Sequence, residues 1–277
     1  MTPDDFSFLA RMLRRRSGLS LTPDRRELVE RRLAPVMRRF GFRDPDNLVR
    51  ELRLGQESLA RAVTEAVTVH DTSFFRDAAT FARFKTELLP LLLRQRAQSR
   101  RLRIWSAACA TGQEIYSIAM MLDEMGLAAQ GWSIDLIATD LSADAVARAE
   151  EGRYNEEEIG RGLSPLQRAT WFRASGEHWR VADHLRRMVD FRVFNLLDSY
   201  GWLDDLDFVF CRNVLMYFDR AAKAAVLERM ADTLAPDGLL LLGTSETTEP
   251  LLNFFVEAPG GEGIYGRSRA TLSRLAG

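Results

Sequence analysis

The stretch Arg103–Ser117, reading RIWSAACATGQEIYS, constrains the fold most. A short apolar strand, Leu102–Trp105, passes through small residues from Ser106 to Gly112. It then enters a helical pattern at Ile115, Ile118, Ala119 and Leu122. A strand feeding a helix through such a turn is how open α/β sheets offer backbone N–H groups and a helix N-terminus to a ligand. Glu114 stands at the start of that helix. Gly112 is the only glycine of the turn, so the G-x-G-x-x-G fingerprint of a pyrophosphate site is missing. The turn suits a ligand without phosphates.

The rest of the chain supports a sheet built around this turn. Strands are expected at Leu102–Trp105, Ile134–Thr139, Val189–Phe194, Phe208–Cys211 and Leu239–Leu242. Helices are expected at Ala143–Glu150 and Ala221–Leu234, the second stopped by Pro236-Asp237-Gly238. That alternation predicts a mostly parallel sheet covered by helices. Phe254–Ala258 and Ile264–Tyr265, separated by Pro259-Gly260-Gly261, predict an antiparallel hairpin at one edge. Residues 152–188, with a Ser175-Gly176 turn, predict a small excursion on the sheet. Residues 1–90 read as helical. Gly18 ends a first helix, Thr22-Pro23-Asp24 starts a second that Pro35 should kink and Gly41 closes, and Asp44-Pro45 opens a third. Ala78–Arg96 is expected as a further helix.

Bulk properties exclude several classes. No apolar run approaches the roughly 20 residues needed to span a bilayer, and the start of the chain carries no signal-peptide pattern. Cys109 and Cys211 have no metal-ligand spacing, nor have His70, His178 and His184, so no metal and a reducing, cytoplasmic setting are expected. A net charge of −1 argues against a general polyanion binder. The charge is nonetheless uneven: 11 arginines and three acids lie between Arg11 and Arg43. The doublets Arg31-Arg32 and Arg38-Arg39 are two helical turns apart and share one side. Either they form a solvated face or they meet an acidic partner.

Polar groups end the successive strands. Asp140 lies 28 residues past Gly112. There it can accept hydrogen bonds from ribose hydroxyls or simply cap the next helix. Asn195-Leu196 offers an amide to a nucleobase edge and an apolar contact to its face. Arg212-Asn213 follows the fourth strand directly. Together these ends suit a nucleoside lying across the sheet.

Several stretches in combination resemble the chemotaxis receptor methyltransferases, the CheR family of S-adenosylmethionine-dependent protein-glutamate O-methyltransferases. They are Gly18–Leu21 with Arg31-Arg32-Leu33 and Arg38–Gly41; Thr72–Asp77 (TSFFRD); Trp105–Ser117; Thr139-Asp140; Asn195-Leu196-Leu197; and Phe210–Phe218 (FCRNVLMYF). Gly243–Glu246 is similar to a late motif of that family. The resemblance implies a Rossmann-like methyltransferase domain over residues 78–277, with 152–188 as a small β-subdomain, and a helical recognition domain and connector over 1–77. It implies that S-adenosylmethionine, leaving as S-adenosylhomocysteine, is held by His70, Thr72, Arg76, Ala107, Glu114, Asp140, Asn195, Leu196, Arg212 and Asn213. Glu114 would meet the methionine amine, Arg76 its carboxylate, Asp140 the ribose, and Asn195 and Leu196 the adenine. Tyr217 would face the methyl, and Arg94, with Arg96 as rival, would be the arginine at the reaction centre. Arg25, Arg31, Arg32, Arg38 and Arg39 would bind the substrate, an acidic cytoplasmic helix of a chemoreceptor.

This sequence departs from the family pattern where His70 replaces the usual asparagine. The short Ser175-Gly176 turn also lacks the glycine-rich loop of members that dock a receptor tail peptide, so no such docking is expected. A monomer with no nucleic-acid partner and no membrane insertion is expected. The alternatives are a methyltransferase acting on RNA, or a non-catalytic receptor-binding or cofactor-sensing module.

Overall fold

The computed structural model describes residues 1–249, 253–259, 261 and 263–268. It opens with four helices: α1 (Pro3–Ser17), α2 (Arg26–Phe40), α3 (Pro45–Arg53) and α4 (Glu57–Val67). Their limits follow local chemistry. Thr2 caps α1 by accepting the Asp5 N–H, and Asp44 caps α3 by accepting the Asn47 N–H. Gly18 and Gly41 end α1 and α2 with φ of 75° and 77°, a conformation glycine adopts without a Cβ penalty. Phe6, Leu9, Leu13, Val29, Leu33, Leu48 and Val63 form a core between these helices, and Tyr217 of the later domain packs against it.

A connector leads through α5 (Ala78–Arg83), a π turn over Phe84–Leu88 and α6 (Leu89–Gln95) into β1 (Arg101–Ala107). Next come α7 (Gln113–Glu124), β2 (Ser133–Asp140) and α8 (Ala143–Glu151). The excursion contains β3 (Arg153–Tyr154), α9 (Glu156–Gly160), α10 (Pro165–Trp171), β4 (Phe172–Ser175), β5 (His178–Val181) and α11 (Asp183–Arg187). The main sheet resumes with β6 (Val189–Val193), β7 (Leu206–Cys211), α12 (Arg220–Thr233), β8 (Leu234–Leu242), β9 (Phe255–Glu257) and β10 (Ile264–Arg267).

Seven strands lie in the order β6-β2-β1-β7-β8-β10-β9, and β3-β5-β4 form a separate small sheet. The first five strands are parallel, and β10 runs antiparallel to both β8 and β9. The α/β class, the excursion and the closing antiparallel pair are as the sequence predicts. Gly260, in the expected turn of that pair, lies outside the described residues. The chain leaves β1 toward β2 on one side and later returns to β7 on the other. A ligand crevice is therefore expected beyond the carboxyl end of β1. One apolar layer, including Phe84, Ile104, Ile115, Ile118, Phe208 and Phe210, covers one face. Trp105, Val209, Val226, Leu227, Met230 and Leu240 cover the other.

Three local expectations change. Thr22-Pro23-Asp24 does not start α2 directly: a 3₁₀ turn, Pro23–Arg25, precedes it, and Thr22 makes no side-chain capping bond. Ala78–Arg96 is not one regular helix, because the π turn interrupts it. Pro236-Asp237-Gly238 does not separate helix from strand but lies within β8. The β7–β8 register shifts between Leu206 and Phe208. Such an irregularity tolerates a proline without an N–H. Gly238 fits there because a Cβ would come within 2.5 Å of the Leu206 carbonyl oxygen.

Candidate functional site

The carboxyl ends of β1, β2, β6 and β7 open into one cavity with about 920 Å³ of free space, part of it open to solvent. The connector 68–76 walls one side, and Ser17 and Leu19 of the N-terminal module wall another.

The turn after β1 is built differently from a phosphate-binding loop. The Cys109 N–H donates to the Thr139 carbonyl at 2.8 Å, and the Ala110 N–H to Asp140 Oδ2 at 2.9 Å. The end of β2 thus consumes these two amides. What faces the cavity is small side chains and an acid, in keeping with a ligand lacking phosphates. The fit is tight: Ala108 and Ala110 sit at φ of 59° and 50°, and a Cβ on Gly112 would lie 2.9 Å from that of Ala149. Phe75, Asp77 and Asn213 also have positive φ. Of these, Ala108, Ala110 and Asn213 line the cavity.

Three carboxylates are fixed in distinct ways. Asp140 is buried; Oδ1 accepts the Ser142 N–H and Oδ2 the Ala110 N–H, each at 2.9 Å. Each oxygen keeps a lone pair for a further donor. Glu114 Oε1 accepts the Ser106 hydroxyl at 2.8 Å, and Oε2 accepts Arg212 Nη1 at 3.0 Å. Arg212, whose side chain is 2% exposed, also donates from Nη2 to Asp77 Oδ2 at 2.6 Å and to the Arg76 carbonyl at 2.8 Å. Its guanidinium carbon lies 5.4 Å from the Phe81 ring centroid. A buried guanidinium needs such partners to offset its lost hydration. Arg212 thereby ties the TSFFRD connector to the first turn of α7.

Arg76 differs. Its Nη1 donates to the Asp71 carbonyl at 2.7 Å, and no carboxylate pairs with it among the described residues. It is a cavity-lining cation still available to an anion. Thr72, His70 and Tyr217 also line the cavity. His70 Nε2 lies 3.3 Å from Thr68 Oγ1 and 3.6 Å from Asp140 Oδ1. The Tyr217 carbonyl accepts the Ser20 N–H at 2.8 Å, part of a small bridge in which Leu19 pairs with Phe218. Cys109 also lines the cavity, but burial pushes its thiol well above the usual range, so it is no thiolate nucleophile. Among the described residues no cluster has metal-ligating composition.

The cavity thus presents the Glu114 and Asp140 carboxylates as acceptors and Arg76 as a guanidinium without a carboxylate partner among the described residues. That set suits a ligand with an amine, hydroxyls and a carboxylate. The donor and acceptor set therefore fits S-adenosylmethionine.

Other expectations need correction. Ala107 is buried at the end of β1 and does not line the cavity; Ala108, turned outward by its positive φ, does. The Asn195 side chain is not a free base-reading amide: Nδ2 donates to the Arg16 carbonyl at 2.6 Å, and Oδ1 accepts the Leu197 N–H at 3.0 Å. Asn195 shapes the cavity wall that it shares with Leu196. Arg94 is exposed on α6, which precedes the amino end of β1, whereas the cavity lies beyond the carboxyl ends. Its rival Arg96 pairs with Asp207 at 2.9 Å and with Asp237, so it braces β7 and β8. Neither reaches the cavity.

The basic helix also divides. Arg32 Nη1 donates to the Val67 carbonyl at 2.6 Å, Arg25 lies 3.7 Å from Asp24, and Arg39 packs over Phe40 at 5.6 Å. Arg31 and Arg38 are exposed.

Two contributors escape sequence reading. Asp77 ends the TSFFRD motif but reveals its role only through Arg212. Glu246 is buried and holds the loop after β7 from the turn after β8. Its motif is visible in the sequence, whereas its contact is long-range.

Comparison with known proteins agrees with this geometry. Residues 70–258 match a family model described as "CheR methyltransferase, SAM binding domain", and residues 4–68 match "CheR methyltransferase, all-alpha domain". "Chemotaxis protein methyltransferase 1" of Pseudomonas aeruginosa is 37% identical over 269 residues, 96% of this chain and 98% of that protein. "Chemotaxis protein methyltransferase" of Vibrio parahaemolyticus is 37% identical over 259 residues, 92% of this chain and 93% of that protein. "Chemotaxis protein methyltransferase" of Escherichia coli is 35% identical over 272 residues, 95% of this chain and 91% of that protein.

Proposed function

The chain belongs to the CheR methyltransferase family, and from that premise we propose that it methylates glutamate side-chain carboxylates of chemoreceptors. The carrying observation is the single cavity in which Asp140 at the end of β2, Glu114 in the first turn of α7 and Arg76 on the connector, without a carboxylate partner among the described residues, come together. Asp140 accepts ribose hydroxyls. Glu114, held rigid by Ser106 and Arg212, attracts the methionine amine. Arg76 takes the carboxylate, Thr72 supports it, and His70 stands beside Asp140. Leu196 contacts the adenine face from the wall that Asn195 braces. Bound S-adenosylmethionine supplies an electrophilic methyl on a sulfonium.

The residues then have little acid–base work to do. A glutamate side chain has an ordinary pKa of about 4.3, so it reaches the site already ionised. An anion and a cation neutralise each other as the methyl moves, so a strongly charged oxyanion site would add little. Alignment and exclusion of water carry the rate instead. Tyr217 and Asn213 border that end of the cavity, where the Tyr217 hydroxyl orients the incoming carboxylate.

We assign residues 1–77 to substrate recognition and connection, and 78–277 to cofactor binding and transfer. Arg31 and Arg38, with Arg25, Arg32 and Arg39 around them, face an acidic receptor helix. The tight turn between β4 and β5 supports action without receptor tail-peptide docking. On this reading the protein works in the cytoplasm as a monomer. No helix among the described residues is long and apolar enough to cross a membrane. The test is incubation with methyl-labelled S-adenosylmethionine and a chemoreceptor cytoplasmic fragment, followed by peptide mass mapping. Label confined to glutamates supports the proposal; label on other residues, or only on added RNA, rejects it.

A further inference from the structure

We propose that Glu246 is a positioning residue for methyl transfer, fixing Asn213 and Tyr217 at the reacting end of the cavity. The proposal rests on the methyltransferase reading above. Glu246 is 4% exposed and lies just after β8. Its Oε2 accepts the Asn213 N–H at 2.7 Å and the Gly243 N–H at 2.8 Å, and its Oε1 accepts the Met216 N–H at 3.1 Å. Its own N–H donates to the Gly243 carbonyl at 2.9 Å, closing a tight turn. No cation pairs with it among the described residues; its charge is satisfied by three backbone donors.

The bonds cross between neighbouring parallel strands. Cys211, the last residue of β7, is in register with Leu242, the last of β8. Directly beyond Cys211 and Arg212 the chain reverses at Asn213, with φ of 59°, and turns through a 3₁₀ segment at Leu215–Tyr217. Asparagine is among the non-glycine residues that enter that region most readily. Glu246 binds both the start of this reversal and its second turn. The approach is close enough to require glycine: a Cβ on Gly243 would lie 2.8 Å from both Asn213 Nδ2 and Glu246 Oε2. Glu246 touches none of the side chains assigned to the ribose or the methionine end; of the residues that the family resemblance gives to the cofactor it holds only Asn213, through the backbone N–H. Asp140, Glu114 and Arg76 are held by Ser142, Ala110, Ser106, Arg212 and the Asp71 carbonyl instead.

This separation predicts a split between binding and turnover. In Glu246→Ala all three donors lose their acceptor. In Glu246→Gln the side-chain oxygen can still take the Asn213 and Gly243 N–H groups, while its amide faces the Met216 N–H. The experiment uses the full chain. Calorimetry with S-adenosylhomocysteine gives affinity and the binding-competent fraction. Single-turnover transfer from S-adenosylmethionine to a chemoreceptor cytoplasmic fragment gives the rate per competent molecule. We expect that rate to fall at least about tenfold in Glu246→Ala and less in Glu246→Gln, with affinity within about threefold of wild type. Glu246→Gln decides the matter if the alanine variant does not fold. A rate per competent molecule unchanged in Glu246→Gln and Glu246→Ala, or affinity falling in step with rate, overturns the proposal. A wild type that binds S-adenosylhomocysteine but methylates no receptor overturns the parent reading and this proposal with it, a result distinguishable because it precedes any substitution.

Discussion

Replacing Asp140 by asparagine removes the charge assigned to the ribose. In the fold both carboxylate oxygens already hold a backbone donor, Ser142 N–H and Ala110 N–H, each at 2.9 Å. An asparagine must therefore turn its NH₂ toward one of those N–H groups. The remaining oxygen keeps one backbone bond and offers the ribose a single neutral acceptor. Losing one hydrogen bond to a charged group costs roughly 1.5–3 kcal/mol, which is about 10- to 150-fold in affinity. Calorimetry with S-adenosylhomocysteine reads this loss directly. The control is Ser142→Ala. Ser142 Oγ caps α8 by accepting the Ala145 N–H at 3.2 Å, so its loss costs about 1 kcal/mol of stability but leaves the Asp140 carboxylate in place. Affinity in Ser142→Ala should match wild type. If Asp140→Asn binds within threefold of wild type, or if both variants lose affinity equally, the ribose assignment is wrong.

Three further outcomes follow from the same contacts. Arg96→Ala leaves the buried Asp207 without its guanidinium and should cost about 3 kcal/mol in denaturant unfolding, whereas Arg94→Ala should leave both stability and methyl transfer near wild type; a reversed pattern would return Arg94 to the reaction centre. Reversing Arg31 and Arg38 together to glutamate should lower receptor methylation roughly tenfold at low salt, and less at high salt, with S-adenosylhomocysteine affinity unchanged; undiminished methylation at low salt would remove the helix from the receptor interface. Asp219 accepts the Ala221 and Ala222 N–H groups at the start of α12 and pairs with Arg14. The Ala222 N–H first, then Arg14, hold its carboxyl below the usual carboxylate range. A carboxyl so lowered binds fewer protons folded than unfolded, so its stabilisation is complete above the unfolded value of about 3.9 and fades as pH falls toward the folded one. Asp219→Ala should therefore cost about 1 kcal/mol at pH 7 and progressively less below pH 4; a constant loss across that range would refute the assignment.

What the sequence reveals here is local. A strand, small residues and an acid in the first helical turn were enough to locate the cavity, because each is set by neighbours in the chain. Asp140 was legible for the same reason. The errors concern contacts across the fold. Asn195 reads as a free amide until the Arg16 carbonyl, contributed by the N-terminal module, is seen to occupy it. Arg94 and Arg96 precede the central strand in sequence but lie at its amino end, and only the sheet direction separates them from the site. Arg76, placed at the methionine carboxylate, proves to be the cavity-lining arginine without a carboxylate partner among the described residues. No periodicity or spacing could report that.

The most direct measurement is the chemical fate of the transferred methyl. The protein is incubated with methyl-labelled S-adenosylmethionine and a chemoreceptor cytoplasmic fragment, and the receptor is then treated with mild alkali. A glutamate methyl ester releases its label as volatile methanol, the result predicted here. Label that stays on the protein through alkali, or that appears only on RNA, would contradict it.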